Sequence, residues 1–142
     1  MDKLHGIYNL NSCEARFSSG EIVYPYGKNP HGRISYFPNG EMMVILSESE
    51  KQKFASPDRN QGTSEELLRA VASFDSYYGK YEVDWEAGIV RHFVEASLFP
   101  NWEGEVLVRY IKLSDDVLEL STDEVLYRNQ MCKIYLEWVR KP

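Results

Sequence analysis

Apolar and polar residues alternate along this chain over short stretches, and turn-forming residues interrupt the alternation again and again. Gly6 to Phe17 reads as a long first strand closed by Ser18-Ser19-Gly20, and Ile22 to Tyr26 as a short second one. Two glycines and a proline fill the loop from Tyr26 to Gly32. Arg33 to Phe37 and Glu41 to Ser47 flank Pro38-Asn39-Gly40. Asn-Gly tolerates the positive φ angles of a tight hairpin, so these two strands should pair.

The polar stretch from Glu48 to Gly62 predicts an exposed loop. Thr63 and Glu66 then stand at capping-box spacing, where each side chain can satisfy an orphan backbone N–H. Leu67, Val71, Phe74 and Tyr78 recur at helical spacing with Leu68 beside them. They predict a helix with an apolar stripe about three turns long, able to lie across something apolar.

After Gly79 the period becomes two, with Tyr81, Val83 and Trp85 alternating against Lys80, Glu82 and Asp84. Ala87-Gly88 turns the chain into a strand from Ile89 to Leu98, and Pro100-Asn101 marks a loop. Glu103 to Leu113 is a long strand, and Asp115-Asp116 turns it into Val117 to Thr122. The last strand, Cys132 to Val139, sets Cys132, Ile134, Leu136 and Trp138 on one face.

The tally is about nine strands, with one helix between the fourth and fifth. Short links between successive strands make a meander, whose two open edges invite aggregation. Closure into an antiparallel up-and-down barrel removes both edges. The expected fold is therefore an all-β closed barrel, formed by residues 1–142 as a single domain, and 142 residues suffice for one core without a metal or disulfide staple.

Composition narrows the function classes. A net charge of −6 and the lack of any Lys/Arg run argue against nucleic acid as a partner. No stretch approaches the ~18–20 apolar residues of a membrane span, and the start at Met1 to Asn11 has no apolar signal-peptide core. A cytoplasmic location is the expectation, with Cys13 and Cys132 as reduced, buried thiols on the first and last strands, where closure could make them neighbours. Ten tyrosines raise the aromatic share to 13%, and side chains with an apolar face and a polar tip suit a mixed pocket wall as well as a core.

From Tyr78 to Thr122 the chain reads YGKYEVD, VRHFVEASLFPNWEGEVLVRYIKL and LELST, with LHGIYNLNS and GRISYFPNGEMMVIL upstream. Over roughly Leu4 to Thr122 it resembles the lipocalin-like domain family of small bacterial and fungal barrels. The most specific part is the run from His92 to Arg109. The resemblance implies a barrel enclosing a ligand cavity, and a place beside secondary-metabolite pathways. One departure stands at the opening: lipocalins carry Gly-x-Trp there, whereas Gly6-Ile7-Tyr8 puts a tyrosine where that tryptophan plugs the closed end.

A barrel of eight to ten strands can hold one small ligand. On the strand after Gly88 one parity reads Val90, His92, Val94, Ala96 and Leu98, an apolar face with one polar anchor. On the next, Leu107, Arg109 and Ile111 alternate with Val106, Val108 and Tyr110; neither face is clearly wet, so both are expected to be buried, one against the helix. Placing His92 and Arg109 inward on adjacent strands, with Tyr36, Tyr81 and Trp85, gives a polar end that could grip a carboxylate, phenol or enol. Val90, Val94, Met43 and Ile45 would line the rest. Arg suits an acid because its planar fork binds carboxylates in bidentate fashion. The plainer readings stand beside this one. A lone His on an apolar face is often a hydrogen-bonded core residue, Arg109 could satisfy carbonyls or pair with Glu95 or Glu105, and the tyrosines could be filler. Pro100-Asn101-Trp102-Gly104 reads as a loop-shaping run.

Motifs for cofactors are missing. There is no P-loop, no G-x-G-x-x-G after a strand, no C-x-x-C and no G-x-S-x-G. His5, His31 and His92 have no zinc-like spacing, and Ser97 faces away from His92 on the same strand. No cofactor or metal is expected. Two functions fit. In the first, the chain binds and carries an apolar metabolite, lipid or polyketide-like molecule, as a monomer or a homodimer. In the second it is a cofactor-free isomerase, cyclase or dehydratase acting on a polyketide-like substrate. His92 would then be acid or base, Arg109 would stabilise the oxyanion, and Tyr36 or Tyr81 would donate a hydrogen bond. Binding is the leading expectation, since no motif forces a reaction. An interior filled by its own side chains would undo both.

Overall fold

A computed structural model describes residues 3–142. Its strands are β1 (Gly6–Phe17), β2 (Ile22–Val23), β3 (His31–Tyr36), β4 (Glu41–Ser47), β5 (Phe74–Asp84), β6 (Ile89–Ser97), β7 (Val106–Ser114), β8 (Val117–Ser121), β9 (Val125–Tyr127) and β10 (Gln130–Arg140). Helix α1 (Ser64–Ala72) stands between β4 and β5. Hydrogen bonds run antiparallel through β1, β3, β4, β5, β6, β7, β8 and β10, and β10 returns to β1. Eight strands thus close a barrel. The other two are extensions, β2 along the far end of β1 and β9 along that of β10.

This is the all-β barrel that the alternation predicts, with ten strands where the sequence reading counts about nine. The extra strand is β9. Its turn into β10 uses Arg128 and Asn129 at φ 52° and 63°, a left-handed pair without the glycine that usually betrays such a turn. The second strand is shorter than expected, ending at Val23 instead of reaching Tyr26.

The helix also needs a correction. Its capping box forms as predicted: Glu66 N–H donates to Thr63 Oγ1 at 3.1 Å and Thr63 N–H to Glu66 Oε1 at 2.9 Å. It stops at Ala72, however, and Phe74 and Tyr78 belong to β5. A step of four residues joins neighbours on a helix, but it is also an even number of strand positions, so the spacing fits both elements. Leu67, Leu68 and Val71 remain exposed instead of lying on an apolar surface. Nor does β7 bury both faces: Val106, Val108 and Tyr110 point outward and are exposed.

The barrel is packed solid at one end. Tyr8 takes the plugging position, fully buried, and its hydroxyl donates to Leu4 O at 2.7 Å. The Arg140 guanidinium lies 4.8 Å from the Tyr8 ring centroid and donates to the carbonyls of His5 and Lys3. Tyr36 meets Tyr8 edge-on and packs at 4.8 Å against Tyr81, whose hydroxyl donates to Phe37 O. On the opposite side of this plug the interior is hollow.

Curvature at the hollow comes partly from a bulge. The β5–β6 register shifts between Tyr78 and Gly79, leaving Glu95 as the extra residue on β6. Gly79 lies so close to the partner strand that a Cβ there would stand 1.8 Å from Phe93 O. Beyond the bulge the parity of β6 is lost, and Leu98 is exposed. Among the described residues no helix is long and apolar enough to cross a membrane.

Candidate functional site

The hollow is a cavity of about 480 Å³. Ile34, Val44, Leu46, Leu107, Leu120 and Leu136 from five strands give it apolar walls. Tyr26, Phe99, Trp102 and Tyr127 contribute aromatic surface from the loop and hairpin end, opposite the tyrosine plug. Trp102 stands on the short turn Pro100–Trp102, edge-on to Phe99 at 5.3 Å and to Tyr77 at 5.8 Å. The Pro-Asn-Trp run therefore shapes a loop and also supplies a wall of the cavity. Helix α1 leaves the barrel at this end but contributes nothing to the lining.

Polar groups gather deep in this space. His92 projects inward from β6, almost fully buried, and both ring nitrogens are engaged. Tyr36 Oη lies 2.7 Å from Nε2, and Tyr77 Oη lies 2.7 Å from Nδ1. One tyrosine comes from the plug and the other from the cavity wall, so the imidazole bridges the solid and hollow halves of the barrel. Burial, aided by the positive charge of Arg109, pushes the His92 pKa down to about 3, and the ring is neutral at physiological pH. Burial raises Tyr77 to about 12 and Tyr36 well above the usual phenol value, so both hydroxyls keep their protons.

Arg109 lines the cavity from β7, next to His92 on the adjacent strand; Val90 pairs with Arg109 and His92 with Leu107. Its guanidinium donates to Val108 O at 3.2 Å and also engages the Tyr77 hydroxyl. Among the described residues it forms no ion pair with Glu95 or Glu105, contrary to the plainer expectation. Asp75 is the carboxylate of the cavity wall; burial raises its pKa, and no ion pair within 4 Å joins it to Arg109. Trp138 also lines the cavity. It is almost fully buried, and among the described residues its Nε1–H has no hydrogen-bond partner.

The sequence-predicted residues divide into three groups. His92 and Arg109 reach the cavity wall. Tyr36, Tyr81, Val90 and Val94 point inward but are buried in the core below or beside the cavity, without lining it. Met43, Ile45 and Trp85 are misplaced by the sequence reading. Met43 and Ile45 face outward, 51% and 46% exposed, because Met42, Val44 and Leu46 occupy the inner face of β4. Trp85 lies past the end of β5, in a turn, with the Lys3 ammonium 4.3 Å above its ring.

Tyr77, Trp102, Trp138 and Asp75 were not singled out as pocket residues. Trp138 stood in the correct inward set of the last strand, whereas the overextended helix concealed Tyr77 and Asp75. The cysteine expectation is also resolved by register. Their strands are neighbours, but Cys13 pairs with Leu136 and Cys132 with Phe17, four positions apart, too far for a disulfide. Both are free and buried. Among the described residues no cluster of His, Cys, Asp or Glu could hold a metal ion.

Comparison with known proteins agrees with this geometry. A family model described as a lipocalin-like domain matches residues 5–140. The chain is 34% identical over 100 residues, 66% of its length and 86% of the relative's, to the 4'-hydroxy-3'-methoxypropiophenone carrier protein ppsC of Aspergillus oryzae.

Proposed function

The chain belongs to the lipocalin-like domain family, and from that premise we propose that it binds and carries a small, mostly apolar aromatic molecule in the barrel cavity. The observation that carries this reading is the cavity itself: about 480 Å³, walled by leucines, isoleucine, valine and aromatic rings, with a few polar groups at depth. That size and mixture suit one small molecule held by apolar contact and oriented by a few hydrogen bonds. The relative's name describes carriage of an aryl ketone, a ligand of the same chemical class.

Carriage fits better than proton-transfer catalysis. A general base works best with a pKa near the operating pH, whereas His92 lies near 3 and both its nitrogens already hold tyrosines. We read His92 as an anchor for Tyr77. A role in the cytoplasm beside a secondary-metabolite pathway is part of the same proposal.

Titration calorimetry with 4'-hydroxy-3'-methoxypropiophenone and a panel of related phenyl ketones tests the reading. Saturable one-to-one binding is expected, and Leu107→Trp, which fills the cavity, should abolish it while the protein stays folded. Turnover of the bound ketone, or retention of full affinity in Leu107→Trp, would overturn it.

A further inference from the structure

Hydrogen-bond bookkeeping around His92 fixes more than the shape of the site. A neutral imidazole has one N–H donor and one bare nitrogen that accepts. Tyr36 is almost fully buried, and His92 Nε2 is the hydrogen-bond partner of its hydroxyl. Were Nε2 protonated, the Tyr36 proton would have no acceptor, at the cost of a buried unsatisfied donor. Tyr36 must therefore donate to Nε2. The proton of the ring then sits on Nδ1 and is donated to Tyr77 Oη. With its oxygen already accepting, Tyr77 has its own O–H left over, and Tyr77 lines the cavity.

Two further donors line the same cavity, Arg109 from β7 and Trp138 from β10, the strand across the barrel from β5. Among the described residues the buried Trp138 indole N–H has no partner, which is rare in a native core and marks a group open to an acceptor. The Arg109 guanidinium has five N–H groups, of which one donates to Val108 O while the group also engages the Tyr77 hydroxyl oxygen, and others remain to face a ligand. The carboxylate of the cavity wall, Asp75, sits on β5 two residues nearer the loop end than Tyr77, and one of its oxygens already accepts from Ser76 N–H.

We propose that the deep part of the cavity is a donor-only site, formed by the Tyr77 O–H, the Arg109 guanidinium and the Trp138 indole N–H, and that it selects ligands which enter with a carbonyl or comparable acceptor oxygen leading. This rests on the carrier reading and adds an orientation to it: the oxygen-bearing end goes in, and any hydroxyl that must donate stays near Asp75. A hydrocarbon of the same shape would leave the buried Tyr77 and Trp138 donors unsatisfied and should bind far less well.

Nuclear magnetic resonance separates this inference from the reading beneath it. The indole N–H signal of Trp138, assigned by its loss in Trp138→Phe, is followed during titration with propiophenone and with propylbenzene, which lacks the carbonyl. Propiophenone should move the signal downfield and bind at least 10-fold more tightly than propylbenzene, with the preference shrinking in Tyr77→Phe and Trp138→Phe. In the unliganded protein the His92 ring should carry its proton on Nδ1. Equal affinity for the two probes, an unmoved indole signal with propiophenone bound, or a proton on Nε2 would overturn the donor-only site and leave carriage standing. Failure of both probes to bind would overturn carriage as well.

Discussion

Tyr36 and His92, fifty-six residues apart in the chain, meet 2.7 Å from Oη to Nε2 where the packed end of the barrel gives way to its cavity. The contact joins β3 to β6 across the interior, and Tyr77 extends it on the far side of the ring. Neither tyrosine can be read as simple filler. Each phenol hydrogen-bonds the imidazole that stands between them.

Removing that imidazole should therefore destabilise the barrel more than its volume suggests. His92→Phe leaves two buried phenolic hydroxyls without their partner, at roughly 1–3 kcal/mol each. Urea denaturation should show a loss of about 2–5 kcal/mol. Adding Tyr36→Phe and Tyr77→Phe to His92→Phe should recover part of it. A loss below about 1 kcal/mol would contradict the bridging role.

The same residue sets a pH dependence. Its folded pKa of about 3 lies below the roughly 6.5 of an unfolded histidine, so the unfolded chain binds the proton first. Its contribution is complete above about pH 6.5 and is lost as pH falls toward 3, at up to about 1.4 kcal/mol per pH unit. The raised pKa of Asp75 acts in the opposite sense, since the folded state takes that proton more readily. The comparison that isolates His92 is wild type against His92→Gln between pH 7 and 4. The stability difference between them should narrow as the pH falls.

Gly79 is irreplaceable for a steric reason. Any Cβ there meets the Phe93 carbonyl at 1.8 Å, a backbone atom that cannot rotate away. Gly79→Ala should cost about 3 kcal/mol or more, or prevent folding altogether. Gly20→Ala has open space around its Cβ and pays only for its φ of 91°, so its melting temperature should fall much less.

The two thiols should be unreactive and unable to bond to each other. Burial holds Cys13 near pKa 12, and the neighbouring Glu14 charge adds to the effect. Thiolate is the reactive form, so alkylation of native protein at pH 8 should be far slower than after unfolding. Oxidant should leave the melting temperature unchanged. Rapid labelling of Cys13, or an intramolecular disulfide between Cys13 and Cys132, would contradict the register of β1 and β10.

The barrel was legible because its strands alternate and its turns carry Gly, Pro and Asn. The site was legible only where alternation had a phase. On β6 the polar residues mark the outer face, so His92 could be placed. On β4 the run Met42 to Leu46 is apolar throughout, and parity alone says nothing. The hairpin held the missing clue. Tyr36 lies directly opposite Met42, and residues directly opposite in an antiparallel pair share a face. Tyr36 pointing inward therefore required Met42, Val44 and Leu46 inside, and Met43 and Ile45 outside. Tyr77 was hidden by a helix read six residues too far, and the missing partner of Trp138 is a property of three-dimensional packing with no signature along the chain.

The seam between β1 and β10 pairs Tyr8 with Arg140 and runs on to Phe17 and Cys132. Closing it joins strands far apart along the chain, one of the most entropically demanding steps in forming this barrel. Until β10 docks, β1 through β8 can form only a curved, gaping sheet with no enclosed interior. The hollow therefore exists only once that seam is shut, so a molecule it is to hold cannot template the earlier strand pairings.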